Sequence, residues 1–159
     1  MKKQTPYELK RNLVDNMIHE FATTGYLFPK CFMLVEGKLI LTMCADESLT
    51  TPNGQAELVR ILKEYSKNPK VEAIGFIFEA YMSSLPKNSK ESRLIEKGLM
   101  RVSESSSRKT ILTMVFSTPT SEEIIWCDVD EQAKTIGNPT VSYDKKIIGI
   151  YSGLFPQAA

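Results

Sequence analysis

The sequence predicts an α+β domain: a mixed, mainly antiparallel sheet of about six or seven strands, with two helices packed on one face. Three observations lead there. Apolar residues recur at helical spacing in two segments, apolar runs of strand length fill most of the remainder, and turn residues separate those runs closely. A single domain spanning 1–159 follows from the length, which supports one core without disulfides or metal.

The first helix announces itself at Thr5-Pro6-Tyr7-Glu8, which has the form of a capping box with proline at the first helical position. Leu9, Leu13, Met17 and Phe21 follow at intervals of four, joined by Val14 and Ile18, and Gly25 offers a left-handed stop. Lys10, Arg11, Asp15 and Glu20 occupy the opposite face. Cys31 to Val35 and Leu39 to Cys44 are short apolar runs around Glu36-Gly37-Lys38, the signature of a tight hairpin. After a polar stretch, Leu58, Val59, Ile61, Leu62 and Tyr65 form a second amphipathic helix ending near Ser66, closed by Asn68-Pro69.

Val71 to Met82 is the most apolar segment and reads as a central strand. Alternation puts Ile74, Phe76, Phe78, Ala80 and Met82 on one face, and Val71, Ala73, Gly75, Ile77, Glu79 and Tyr81 on the other. The second face has small residues over which another element can pack closely. A polar loop from Leu85 to Ser92 precedes strands expected at Leu94 to Glu104, Thr110 to Ser117 and Glu123 to Val129, an antiparallel meander. Gly98, inside the first of these, suggests a bulge or a close backbone approach. Lys146 to Tyr151 reads as a last strand, and no internal repeat or low-complexity segment interrupts the chain.

Composition excludes several classes. Hydrophobic residues at 42% and charged residues at 25% describe a globular chain rather than a disordered or membrane one. No apolar stretch approaches the roughly 18 residues of a membrane span. With a net charge of +1, no global field steers the molecule onto nucleic acid or an anionic membrane. Cys31, Cys44 and Cys127 each fall in an apolar stretch and are expected as free, buried thiols, which suits a reducing, cytoplasmic setting. The charged N-terminus is followed by an amphipathic pattern, unlike a secretory signal. His19 is the single histidine and has no second ligand at metal spacing, so zinc chemistry and a His-dependent nucleophile both lack support. No phosphate-cradling glycine loop appears. Asp128-Val129-Asp130-Glu131 lacks the glycine and distal glutamate of a calcium loop and reads as a solvated strand end.

Glu79 is the anomaly. A carboxylate within Phe76-Ile77-Phe78-Glu79-Ala80-Tyr81-Met82 must sit at a wet edge, pair with a base, or be buried with a raised pKa. Arg93 and Arg101 are the expected partners, because the strand carrying Arg101 is expected beside that of Glu79. Lys87, Lys90, Arg93, Lys97, Arg101, Arg108 and Lys109 form a basic segment, whereas Thr118 to Glu131 holds five acids and no base. The candidate binding residues are therefore Glu79, Tyr81, Arg93, Lys97, Arg101 and Arg108. No catalytic residue, metal ligand or cofactor is expected. Aromatic residues do not interleave the basic ones, so nucleic acid is not an expected partner.

Glu79-Ala80-Tyr81-Met82, Arg93-Leu94-Ile95-Glu96 and Val102-Ser103-Glu104 resemble elements of a group of small uncharacterised bacterial and phage proteins. Those carry a Glu-Ala-Trp-Met-like strand, an Arg-x-x-Glu-like element and a Val-x-x-Glu-like strand at similar spacing. The resemblance covers roughly residues 72 to 116 and departs at Tyr81, where tryptophan is common, and in Ile95-Glu96-Lys97-Gly98, where the spacing is less regular. It implies a fold and a phage or mobile-element connection, and transfers no catalytic residue. The leading expectation is a non-enzymatic interaction or modulator protein with a protein partner or a homo-oligomeric state. The alternative is a small-molecule binder or enzyme using a cleft around Glu79.

Overall fold

The computed structural model describes residues 3–44, 52–83, 85–86, 88–101 and 104–142. The first helix, α1 (Pro6–Thr24), begins and ends where its sequence dictates. The Thr5 hydroxyl accepts from the Glu8 N–H, the Glu8 carboxylate accepts from the Thr5 N–H, and Gly25 turns left-handed at φ 73°. Strands β1 (Lys30–Val35) and β2 (Lys38–Met43) form the expected hairpin. Glu36 and Gly37 both take positive φ, 49° and 78°, the turn whose twist matches that of the flanking strands. Then come α2 (Pro52–Ser66), β3 (Val71–Ser83), the short α3 (Lys90–Glu96), β4 (Arg108–Ser117), β5 (Glu122–Asp130), β6 (Thr135–Ile136) and β7 (Thr140–Ser142).

Among the described residues, one sheet contains all seven strands in the order β2-β1-β3-β4-β5-β6, with β7 beside β6 along the outer edge of β5. Every pairing is antiparallel. The α+β class and the strand number are as expected. The helices, however, do not share a face. Leu9, Leu13 and Met17 of α1 pack on Phe32, Leu34, Ala73, Ile77, Leu112 and Met114, whereas Val59 and Leu62 of α2 pack on Val71, Ile74, Phe76 and Val115. The reason lies in β3, which is apolar on both faces, so each needs its own cover. A bulge refines the alternation: Leu34 pairs with Ala73 but Val35 with Val71, so Glu72 is the extra residue and Val71 joins the α2 face.

Gly75 lies in the central row of the α1 face, between Phe32 on β1 and Phe116 on β4. The two rings meet over it with centroids 5.6 Å apart and planes inclined by 28°. A Cβ at Gly75 would come within 2.7 Å of Phe32 Cζ and 1.8 Å of the Val115 carbonyl oxygen. The glycine is therefore a packing requirement of two neighbouring strands.

Among the described residues, the expected strand at Leu94 to Glu104 is not formed. Ser89 caps α3 by accepting from the Ser92 N–H, and Gly98 closes it at φ 71°, with Gly98 N–H donating to the Ile95 carbonyl and Leu99 N–H to that of Leu94. Gly98 marks a helix end rather than a bulge, because local capping outweighs the weak apolar run Leu94-Ile95. The short strands β6 and β7 replace it in the strand tally, and the expected strand at Lys146 to Tyr151 lies outside the described residues. Among the described residues no helix is long and apolar enough to cross a membrane.

Gly75→Ala should destabilise the fold by about 3 kcal/mol or more, because the obstructing atom is a backbone carbonyl. Gly98→Ala, with open space around it, should cost only about 1 kcal/mol for its left-handed φ. Urea unfolding of both variants checks this; equal losses would contradict the account of Gly75.

Candidate functional site

Helix α1 ends at Thr24, with Gly25 as its C-cap, and residues of its last turns face Glu79 and Tyr81 of β3 across an open space. A cavity of about 580 Å³ opens there. Phe21, Val129 and Ile136 give it an apolar wall, while Glu79, Asp130, Glu131 and Lys134 bring charge to it. A second cleft of about 520 Å³ shares Tyr81, Asp130 and Glu131 and extends to Arg108 and Lys109.

Glu79 is half-buried, and its Oε1 accepts the N–H of Leu27 at 2.9 Å. Leu27 is itself buried, so the carboxylate pins the α1–β1 connection from across the sheet. The expected pairing with Arg93 or Arg101 is absent among the described residues. The strand beside β3 is β4, and Leu112 lies opposite Glu79. Arg93 is exposed on α3, Lys97 is exposed at its C-cap, and Arg101 is exposed in the following loop, where its N–H donates to Glu104. None of the three lines either cavity. Arg108 is the exception: its guanidinium stacks over the Tyr81 ring at 5.3 Å from the centroid. The structure thus brings together Glu79, Tyr81 and Arg108.

The acids Asp128, Asp130 and Glu131, expected as a solvated strand end, are exposed at and just after the end of β5, and each has a partner in the fold. Asp128 pairs with Lys109 at 2.9 Å, Asp130 accepts from the N–H groups of Gln132 and Ala133, and Glu131 accepts from the Thr110 hydroxyl at 2.7 Å. Glu123 is buried and pairs with Lys10 at 3.0 Å. The acidic stretch therefore meets bases on β4 and α1 within the same molecule. No group of three metal-type ligands occurs among the described residues, and His19 is exposed on α1, away from the cavity lining.

A second feature was not legible as a site in the sequence. All six residues of β2 are exposed, and Leu39, Ile40, Leu41 and Met43 retain 37%, 47%, 49% and 56% of their accessible surface. The hydrogen-bond phase is set by Cys44, whose N–H donates to the Pro29 carbonyl at 3.0 Å. Residues two apart share that direction, so Ile40 and Thr42 bond inward to β1, and the N–H and C=O groups of Leu39, Leu41 and Met43 point outward. Among the described residues no strand pairs with that edge. The apolar run was visible beforehand; its place at the border of the sheet was not.

The three cysteines are free, as expected, but only Cys127 is buried. Cys31 and Cys44 are half-buried, and the register puts them on one face, Cys31 opposite Thr42. The Cys44 thiol hydrogen-bonds Cys31 and lowers the Cys31 pKa to about 7; the same contact, followed by burial, raises that of Cys44. Burial also raises Cys127.

Glu79→Ala should cost about 1–3 kcal/mol, because it strands the buried Leu27 N–H, whereas Glu79→Gln keeps an acceptor and should lose less than about 1 kcal/mol. Equal losses in chemical denaturation would show that the hydrogen bond does not hold the loop. For the thiols, alkylation of Cys31 should rise with pH around a midpoint of about 7, and in Cys44→Ala that midpoint should return towards about 8.5. Mass-spectrometric mapping reads both; an unchanged midpoint in Cys44→Ala would contradict the Cys44–Cys31 hydrogen bond. Compared with protein-family models, curated proteins and solved structures, the chain finds no match in any of the three.

Proposed function

We propose that this protein is a non-enzymatic interaction protein that docks another polypeptide by strand addition at β2. The carrying observation is the open β2 edge, which combines outward backbone groups with four exposed apolar side chains, Leu39, Ile40, Leu41 and Met43. Extended polypeptide satisfies both demands together: its backbone completes the ladder, and its alternate side chains cover the apolar ones. Lys38, beside the turn, is the sole charged residue in β2, so the edge has little of the charge, proline or bulging by which sheets avoid unwanted pairing. A modulator of phage, mobile-element or bacterial origin, acting by docking rather than by catalysis, is the concrete form of this reading.

A second reading is favoured by the 580 Å³ cavity at Glu79, which suits a small molecule. Panning a library of extended peptides against the protein separates the two. Peptides with alternating apolar residues should be enriched, and each should bind Leu41→Lys at least about tenfold more weakly. Enrichment indifferent to Leu41→Lys, with a small molecule retained in native mass spectrometry and lost in Glu79→Gln, would replace the docking reading with the second.

A further inference from the structure

We infer that the polypeptide docked on β2 is the β2 strand of a second copy of this chain, paired antiparallel about a two-fold axis midway between Leu41 and its copy. The inference rests on the docking reading above and names its partner.

A two-fold axis perpendicular to the sheet keeps each side chain on its own face, so opposed residues must share parity and one residue must lie opposite its own copy, with the axis between them. The outward-pointing residues are Leu39, Leu41 and Met43, and their centre is Leu41. Pairing about that centre sets Leu41 against its own copy and Leu39 against Met43 of the other chain. All three then exchange backbone hydrogen bonds in both directions. A centre at Ile40 instead sends Met43 to Gly37 in the turn, and one at Thr42 carries Leu39 past the end of the partner strand.

The side chains agree with the backbone. On the α1 face the axis brings Leu41 to Leu41 and Leu39 to Met43; on the α2 face it brings Ile40 to Thr42. Each is an apolar or β-branched cross-strand pair, and no like charges are opposed. A foreign segment would have to reproduce this pattern, whereas a second copy carries it. The paired edges join two seven-stranded sheets into one.

Sedimentation equilibrium over about a hundredfold range of concentration tests this. The wild type should pass from monomer to dimer, and added salt should not weaken the dimer, since the contact is apolar rather than ionic. Leu41→Lys brings two ammonium groups together at the axis and should remain monomeric throughout, with an unchanged circular dichroism spectrum. Leu41→Thr, which keeps strand propensity at an exposed position, should weaken association by about tenfold or more and serves if the lysine variant fails to fold. A wild type that stays monomeric, or a dimer that Leu41→Lys or Leu41→Thr leaves intact, overturns the inference. If the monomer still binds peptides in a Leu41-dependent way, the self-pairing alone has failed; if it binds none, the docking reading fails with it.

Discussion

Two phenyl rings, Phe32 and Phe116, reach each other across a strand that lies between them, and they do so because residue 75 has no side chain. The contact spans β1, β3 and β4, three strands distant in sequence, and it forms part of the surface on which α1 rests. Ring stacking of this kind adds about 0.5–1.5 kcal/mol beyond the burial of area. Its larger consequence is positional. With the rings tied over Gly75, the register of β1 against β3 and of β3 against β4 is fixed, and a slip of one residue would exchange the faces of every side chain beyond it.

From that register the two functional features follow. Counting along β3 from Gly75 puts Ile77, Glu79 and Tyr81 on the α1 face, and the end of the helix borders the cavity at the last two. Glu79 then ties down Leu27, and Tyr81 carries Arg108 on its ring. In the other direction, the register through β1 leaves β2 at the border with its apolar side chains uncovered. The cavity and the open edge are thus two margins of one sheet, set by where cover stops.

Local signals in the sequence were reliable where short-range chemistry decides. Thr5 with Glu8, Gly25, and the pair Glu36-Gly37 each specify their structure within a few residues. The alternation along β3 likewise put Glu79 and Tyr81 on one face. One miss was itself local, and the others depended on partners distant in the chain. Leu94-Ile95 suits a strand or a helix, and the caps at Ser89 and Gly98 choose the helix. That choice removes the strand expected to bring Arg101 to Glu79, so the proposed ion pair disappears with it. The helix faces were misassigned for a related reason: a strand apolar on both sides does not say which helix covers which side. Asp130, Glu131 and Lys134 join the cavity through the turn between β5 and β6, and no spacing in the sequence connects them to Glu79.

The docking edge exists only if β2 bonds inward through alternate residues and leaves the others open. Residue-resolved amide hydrogen exchange in dilute solution examines that directly. The amides of Ile40, Thr42 and Cys44 should exchange slowly, and those of Leu39, Leu41 and Met43 fast. Protection of the second set equal to the first, at concentrations where the protein is monomeric, would mean that the edge is already covered within the chain, contradicting the account.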